Sequence, residues 1–98
     1  MDYELRISPQ ALEEINQAFD YYSKISEEVA FNFHEELEKV LDTLEFNPHF
    51  QIRYREIRAI PFYIFPYLVF YSVENKIIYI HSVFHTSQNP DKYPARKI

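Results

Sequence analysis

Not one of the chain's 98 residues is glycine. Glycine is the residue that enters left-handed backbone conformations without steric cost. Tight turns that need positive φ must here use Asn or Asp, which tolerate that region at some cost. Asn47, Asn75 and Asn89 are the candidates. The same absence removes phosphate-cradling loops, dinucleotide fingerprints and Gly-x-Ser-x-Gly nucleophile elbows, all of which depend on glycine. Cysteine is absent too. That excludes disulfides, zinc–thiolate sites and cysteine nucleophiles, and it fits a cytoplasmic protein.

The length sets one domain, residues 1–98, and a hydrophobic content of 47% supplies a core without staples. The longest apolar stretch, Ile57 to Val73, is broken by Arg58, Pro61 and Pro66. It falls short of the roughly 18 apolar residues that a membrane helix needs, and nothing at the N-terminus resembles a signal peptide. The net charge of −5 is unevenly spread. Residues 1–50 hold 12 acids and three bases, net −9, whereas residues 51–98 hold seven bases and three acids, net +4. An acidic chain is a poor nonspecific binder of duplex DNA, and none is expected here. A basic half can still present a local anion-binding face.

Tyr3-Glu4-Leu5-Arg6-Ile7 alternates apolar and charged residues, the period of a half-buried strand. Ser8-Pro9 reads as an N-cap followed by proline at the first helical position. Leu12, Ile15, Phe19 and Tyr22 then recur at helical spacing, which predicts an amphipathic helix over 9–24. Ser26 caps a second helix, with Glu27 and Glu28 favourable in its first turn. Its expected buried face is Ala30, Phe33, Leu37, Val40, Leu41 and Leu44, and Asn47-Pro48 ends it. The period then changes. Tyr54 to Ile60, Pro66 to Val73 and Lys76 to Phe84 read as strands, with Glu74-Asn75 as a short hairpin signal. The last strand is apolar on both faces and belongs in the interior of the sheet. The expected fold is α+β: an N-terminal strand, a two-helix antiparallel hairpin and three antiparallel strands, with the helices on one face of the sheet.

Several stretches in this order resemble the RelE/ParE superfamily of toxins from type II toxin–antitoxin systems. They are Ile7-Ser8-Pro9-Gln10-Ala11, Leu44-Glu45-Phe46-Asn47-Pro48, Ile57-Arg58-Ala59-Ile60-Pro61, Phe65-Pro66-Tyr67-Leu68-Val69-Phe70-Tyr71, and Val83-Phe84-His85 followed by Pro90. The likeness spans nearly the whole chain and includes the plasmid-stabilisation proteins. It implies one of two activities. RelE-type members cut mRNA at the ribosome; ParE-type members bind and poison DNA gyrase and are not nucleases. Either kind inhibits growth and is neutralised by an antitoxin protein, here expected on the sheet's basic side or along the two-helix groove.

A metal-free nuclease needs a base, an acid and cations for the transition state. Arg58 resembles the family's arginine and could grip a phosphate bidentately; its plain reading is an ion-paired residue on a sheet edge. His85 resembles the histidine after the last strand and could serve as acid or base; its plain reading is a tie between that strand and the next loop. Tyr93 corresponds loosely to a C-terminal tyrosine of nuclease members. Ser87-Gln88 and Tyr63-Ile64 stand where many nuclease relatives carry arginines or lysines, which removes phosphate stabilisation. The resemblance therefore leans to the ParE type, a protein binder rather than an enzyme, with DNA gyrase ahead of the ribosome as target. A third alternative is a degenerate, non-toxic interaction module. The partner-binding candidates are Arg53, Arg55, Arg58, Phe62, Tyr63 and Phe65, the three aromatics as an exposed apolar patch between strands. His34 and Glu38, at i and i+4, read as a surface pair rather than metal ligands. His81 and His85 are expected on one strand face about 13 Å apart, too far for one ion. No metal or cofactor is implied.

Overall fold

A computed structural model describes residues 3–49, 52–54 and 56–87, with the backbone alone for 52–54. The elements in chain order are β1 (Glu4–Ile7), α1 (Pro9–Ile25), α2 (Glu27–Phe46), β2 (Ile52–Tyr54), β3 (Ile57–Pro61), β4 (Tyr67–Glu74) and β5 (Ile77–His85). The strands form one sheet in the order β1-β5-β4-β3-β2. β1 runs parallel to β5 and the other pairings are antiparallel. The α+β architecture is the expected one, with β5 inside the sheet. The single strand read across Tyr54 to Ile60 is divided into β2 and β3, with a turn at Glu56.

Two serines start the helices. Ser8 Oγ accepts the Ala11 N–H at 3.0 Å and donates to the His81 carbonyl at 3.1 Å, so the cap of α1 also fastens it to β5. Ser26 closes α1 through its N–H to the Tyr22 carbonyl and opens α2 by accepting the Val29 N–H at 3.0 Å. One residue is thus the whole link between the helices.

The buried face of α2 is Ala30, Phe33, Leu37, Val40 and Leu44, with Leu41 partly covered. The face of α1 is rotated from the expected one. Ala11, Ala18 and Tyr22 are buried, whereas Leu12 is 50% and Phe19 42% exposed. Alanines let α1 approach β5 closely, and that approach turns the larger side chains outward.

The main core lies between the helices and the sheet. Phe33 is at its centre, with the Tyr22, Phe62, Phe65 and Tyr67 rings 5.4 to 5.6 Å away. A smaller cluster of Ala59, Leu68, Phe70 and Phe84 occupies the other face of the sheet. The hairpin between β4 and β5 turns at Asn75 (φ 52°) and Lys76 (φ 69°). Both are left-handed, the type I′ arrangement, so the turn sits one residue later than Glu74-Asn75. Asn47 does not enter the left-handed region: its φ is −154°, and its side chain accepts the His49 N–H at 3.2 Å. Asn89 lies outside the described residues.

β5 carries one extra residue. Phe70 is opposite Ser82 and the next residue, Tyr71, is opposite Ile80, leaving His81 without a counterpart. This is a β-bulge. Before it, Ile78 and Ile80 face the helices; after it, Val83 does.

Candidate interaction surface

The bulge separates the two histidines expected on one face. His81 bonds Ser72 Oγ through Nε2 at 2.8 Å, on the side away from the helices. Burial lowers its pKa below the ordinary 6.5. His85 lies on the helix side, edge-on to Tyr67 with ring centroids 5.1 Å apart. Its Nδ1 accepts the Ser87 N–H at 3.1 Å and is 2.6 Å from Ser87 Oγ. A backbone N–H only donates, so in the neutral ring the proton is on Nε2. These are the contacts of a histidine that ties a strand to its following loop. Burial, then a hydrogen bond with Tyr22, hold the Tyr67 phenol well above the ordinary tyrosine range. It therefore stays a neutral hydroxyl.

Arg58 is opposite Tyr71 on β4, whereas His85 is opposite Tyr67. Four residues of strand separate those positions, about 13 Å. The fold does not bring this arginine and this histidine to one phosphate. Arg58 instead shares a shallow depression with His49, Glu56, Ser72 and Glu74. The Arg53 side chain, Arg55 and Tyr93 lie outside the described residues. His34 and Glu38 form an exposed pair at 3.7 Å. Among the described residues no three His, Asp or Glu side chains group as metal ligands.

The expected aromatic patch is corrected. Phe62 is only 6% exposed and Phe65 packs into the main core, because both rings close over Phe33. Tyr63 is 93% exposed, and its neighbour Ile64, 76% exposed, completes the outward pair.

What holds that pair outward was not legible in the sequence. Glu36 of α2 turns its carboxylate into the loop. Oε2 accepts the N–H groups of Tyr63 and of Ile64, the latter at 2.7 Å, and Oε1 accepts that of Phe65 at 3.1 Å. Three successive amides around one carboxylate fix the loop backbone, in the manner of an anion held by a nest. A second carboxylate works the same way beside the bulge. Glu14 Oε1 on α1 accepts the Val83 N–H and the hydroxyl of fully buried Ser82, each at 2.9 Å. The helical pattern puts Glu36 with Glu35, Glu38 and Lys39 mostly on the outer side of α2; in the structure Glu36 and Glu14 lie at the margins of the buried faces, half-buried.

Beside the clipped loop runs a groove of about 460 Å³ between α2 and β3. Val40, Ile60, Phe65 and Ile64 supply its apolar walls, and Glu35 and Lys39 its charged rim. None of the helices among the described residues is long and apolar enough to cross a membrane.

Comparison with known proteins bears on this architecture. The fold is similar to a chain in a solved structure described as the chromosomal ParDE TA system from P. aeruginosa, with a TM-score of 0.74. The identity is 17%, and the match covers 86% of this chain and 96% of that one. No curated protein sequence matches. The family model described as the ParE toxin of the type II toxin–antitoxin system parDE matches residues 5–90. The chain belongs to the ParE toxin family.

Proposed function

We propose that the chain is a ParE-type toxin that acts by binding a protein target such as DNA gyrase, inhibits growth in the cytoplasm, and is neutralised by a cognate antitoxin. The observation that carries this over the nuclease alternative is the placement of Arg58 and His85 opposite positions four residues apart on β4. RNA cleavage without a metal needs base, acid and cation around one phosphate. His85 is instead engaged with Ser87 and Tyr67. Membership in the family supports the toxin role. The exposed Tyr63–Ile64 pair suits contact with a protein.

The test is induced expression in a bacterial host, with DNA breaks, plasmid supercoiling and mRNA 5′ ends read from the same culture. Growth arrest with gyrase-type DNA damage and intact transcripts is expected. Transcripts cut at codon positions, with cleavage lost in Arg58→Ala and His85→Ala proteins that remain folded, would replace this reading with a ribosome-dependent endoribonuclease. Growth with neither lesion would leave a non-toxic interaction module.

A further inference from the structure

We propose that the groove between α2 and the 61–65 segment is the seat of a basic amphipathic helix from a partner protein. This rests on the reading that the chain acts by binding protein.

Three observations converge on it. The first is the loop. A large apolar residue left in water is ordinarily held loosely, yet the backbone under Tyr63 and Ile64 is fastened by three amide bonds to Glu36. A fixed loop presents its side chains with little ordering entropy left to lose on binding. Tyrosine is among the residues that most often dominate such contacts.

The second is the apolar track. Val40, Ile60, Phe65 and Ile64 line the groove, and Thr43 continues it along α2. Phe46 stands three residues further on and is 81% exposed. From Asn32 to Phe46 the track is about 21 Å long. That is roughly four turns of a partner helix.

The third is charge. α2 has seven acids and one lysine between Glu27 and Phe46. Glu28, Glu35 and Asp42 are exposed and have no ion-pair partner among the described residues. They are spaced by seven residues, so they form a row along α2 at intervals of about 10.5 Å. A helix laid along the track with Lys or Arg at the same interval meets Glu35 and Asp42, and Glu28 one turn before the track begins, as flanking charges do beside a coiled-coil seam. An acidic helix is repelled by the row. Lys39, one turn beyond Glu35 and on the groove rim, is the one lysine of α2; it lies beside this row and opposes the partner's charge.

The probe is a labelled 21-residue peptide with leucine at both apolar heptad positions and lysine at the flanking ones. A glutamate counterpart of equal length serves as control. Fluorescence anisotropy with the full chain should show binding of the lysine peptide alone, weakening as salt rises. The double change Glu35→Lys, Asp42→Lys should weaken it roughly tenfold, and Lys39→Glu should tighten it. Ile64→Asp should abolish binding with an unchanged far-UV circular dichroism spectrum. Equal binding of both peptides would overturn the proposal, as would an Ile64→Asp protein that binds like the original. Sedimentation adds a further check: self-association of the chain that Ile64→Asp abolishes would assign the groove to a second copy and overturn it too. The assay involves neither gyrase nor toxicity, so its failure is distinct from failure of the toxin reading.

Discussion

Glu14 and Glu36 show what single residues do in this chain. Each is one of 12 acids in the first 50 residues, and each accepts from neutral donors rather than pairing with a cation: Glu36 from three backbone N–H groups, Glu14 from the Val83 N–H, the Ser82 hydroxyl and the Gln10 amide. His81 has the opposite relation to its surroundings. It is partly buried, it bonds Ser72 Oγ, and burial disfavours its charged form. The folded state therefore binds a proton at His81 less readily than the unfolded chain does. Stability from this residue is intact above the unfolded value near 6.5 and falls as pH drops below it. A His81→Asn protein, whose side chain can still bond Ser72, should lose less stability on acidification. Thermal melts from about pH 7.5 to about pH 5 would check this; parallel losses in the two proteins would refute it.

At the scale of elements, the hairpin between β4 and β5 bears the cost of a chain without glycine. Asn75 accepts positive φ readily, but Lys76 does so against its Cβ, at about 1 kcal/mol or more. Lys76→Gly would give the Asn-Gly pair that type I′ turns favour. It would also lose the ammonium placed 5.5 Å from the Tyr3 ring centroid, worth about 0.5 kcal/mol when exposed. It would loosen the unfolded chain as well. The expected balance is a small gain, about 0.5 kcal/mol, or a melting temperature higher by roughly 3 °C. A lower melting temperature would mean that the Tyr3 contact and the looser unfolded chain together outweigh the backbone strain. The helix boundaries were readable because their signals are local: Ser8-Pro9, Ser26 and Asn47-Pro48 each act within a turn of their own position. The inward face of α1 was readable only in part. Of the stripe Leu12, Ile15, Phe19 and Tyr22, Tyr22 is buried and Ile15 packs against the core, but Leu12 and Phe19 turn outward and Ala11 and Ala18 take the inner positions.

For the whole molecule, the helices meet the sheet through rings at the centre and through the two carboxylates on either side. These ties differ in what they support. Glu14 bonds fully buried Ser82 and the backbone of an inner strand. Glu14→Ala strands two hydrogen-bonding groups and should cost about 3 kcal/mol, seen as a large fall in melting temperature. Glu36 bonds an exposed loop. Glu36→Ala should leave the melt nearly unchanged while amide exchange at residues 63–65 quickens by an order of magnitude or more. Comparable melting losses in the two variants would mean that the 63–65 loop is part of the cooperative core. The layer architecture was legible in the sequence because the hydrophobic period changes twice, from strand to helix at Ser8-Pro9 and back to strand after Asn47-Pro48. The interaction surface was only half legible. An aromatic cluster at 62–65 was evident, but which rings turn inward depends on Phe33, far off in sequence, and on Glu36.

The extra residue at His81 has a consequence for how this chain can change length. Everything in β5 after His81 is displayed in a phase set by that one insertion, with Val83 turned toward the helices and Phe84 away from them. Deleting His81 would act as a frameshift in three dimensions. No downstream letter would change, yet Phe84 would be driven toward α1 while Val83 and His85 were turned out to the opposite face. Substitutions at this point alter one side chain, whereas a single-residue deletion rewrites the end of the strand.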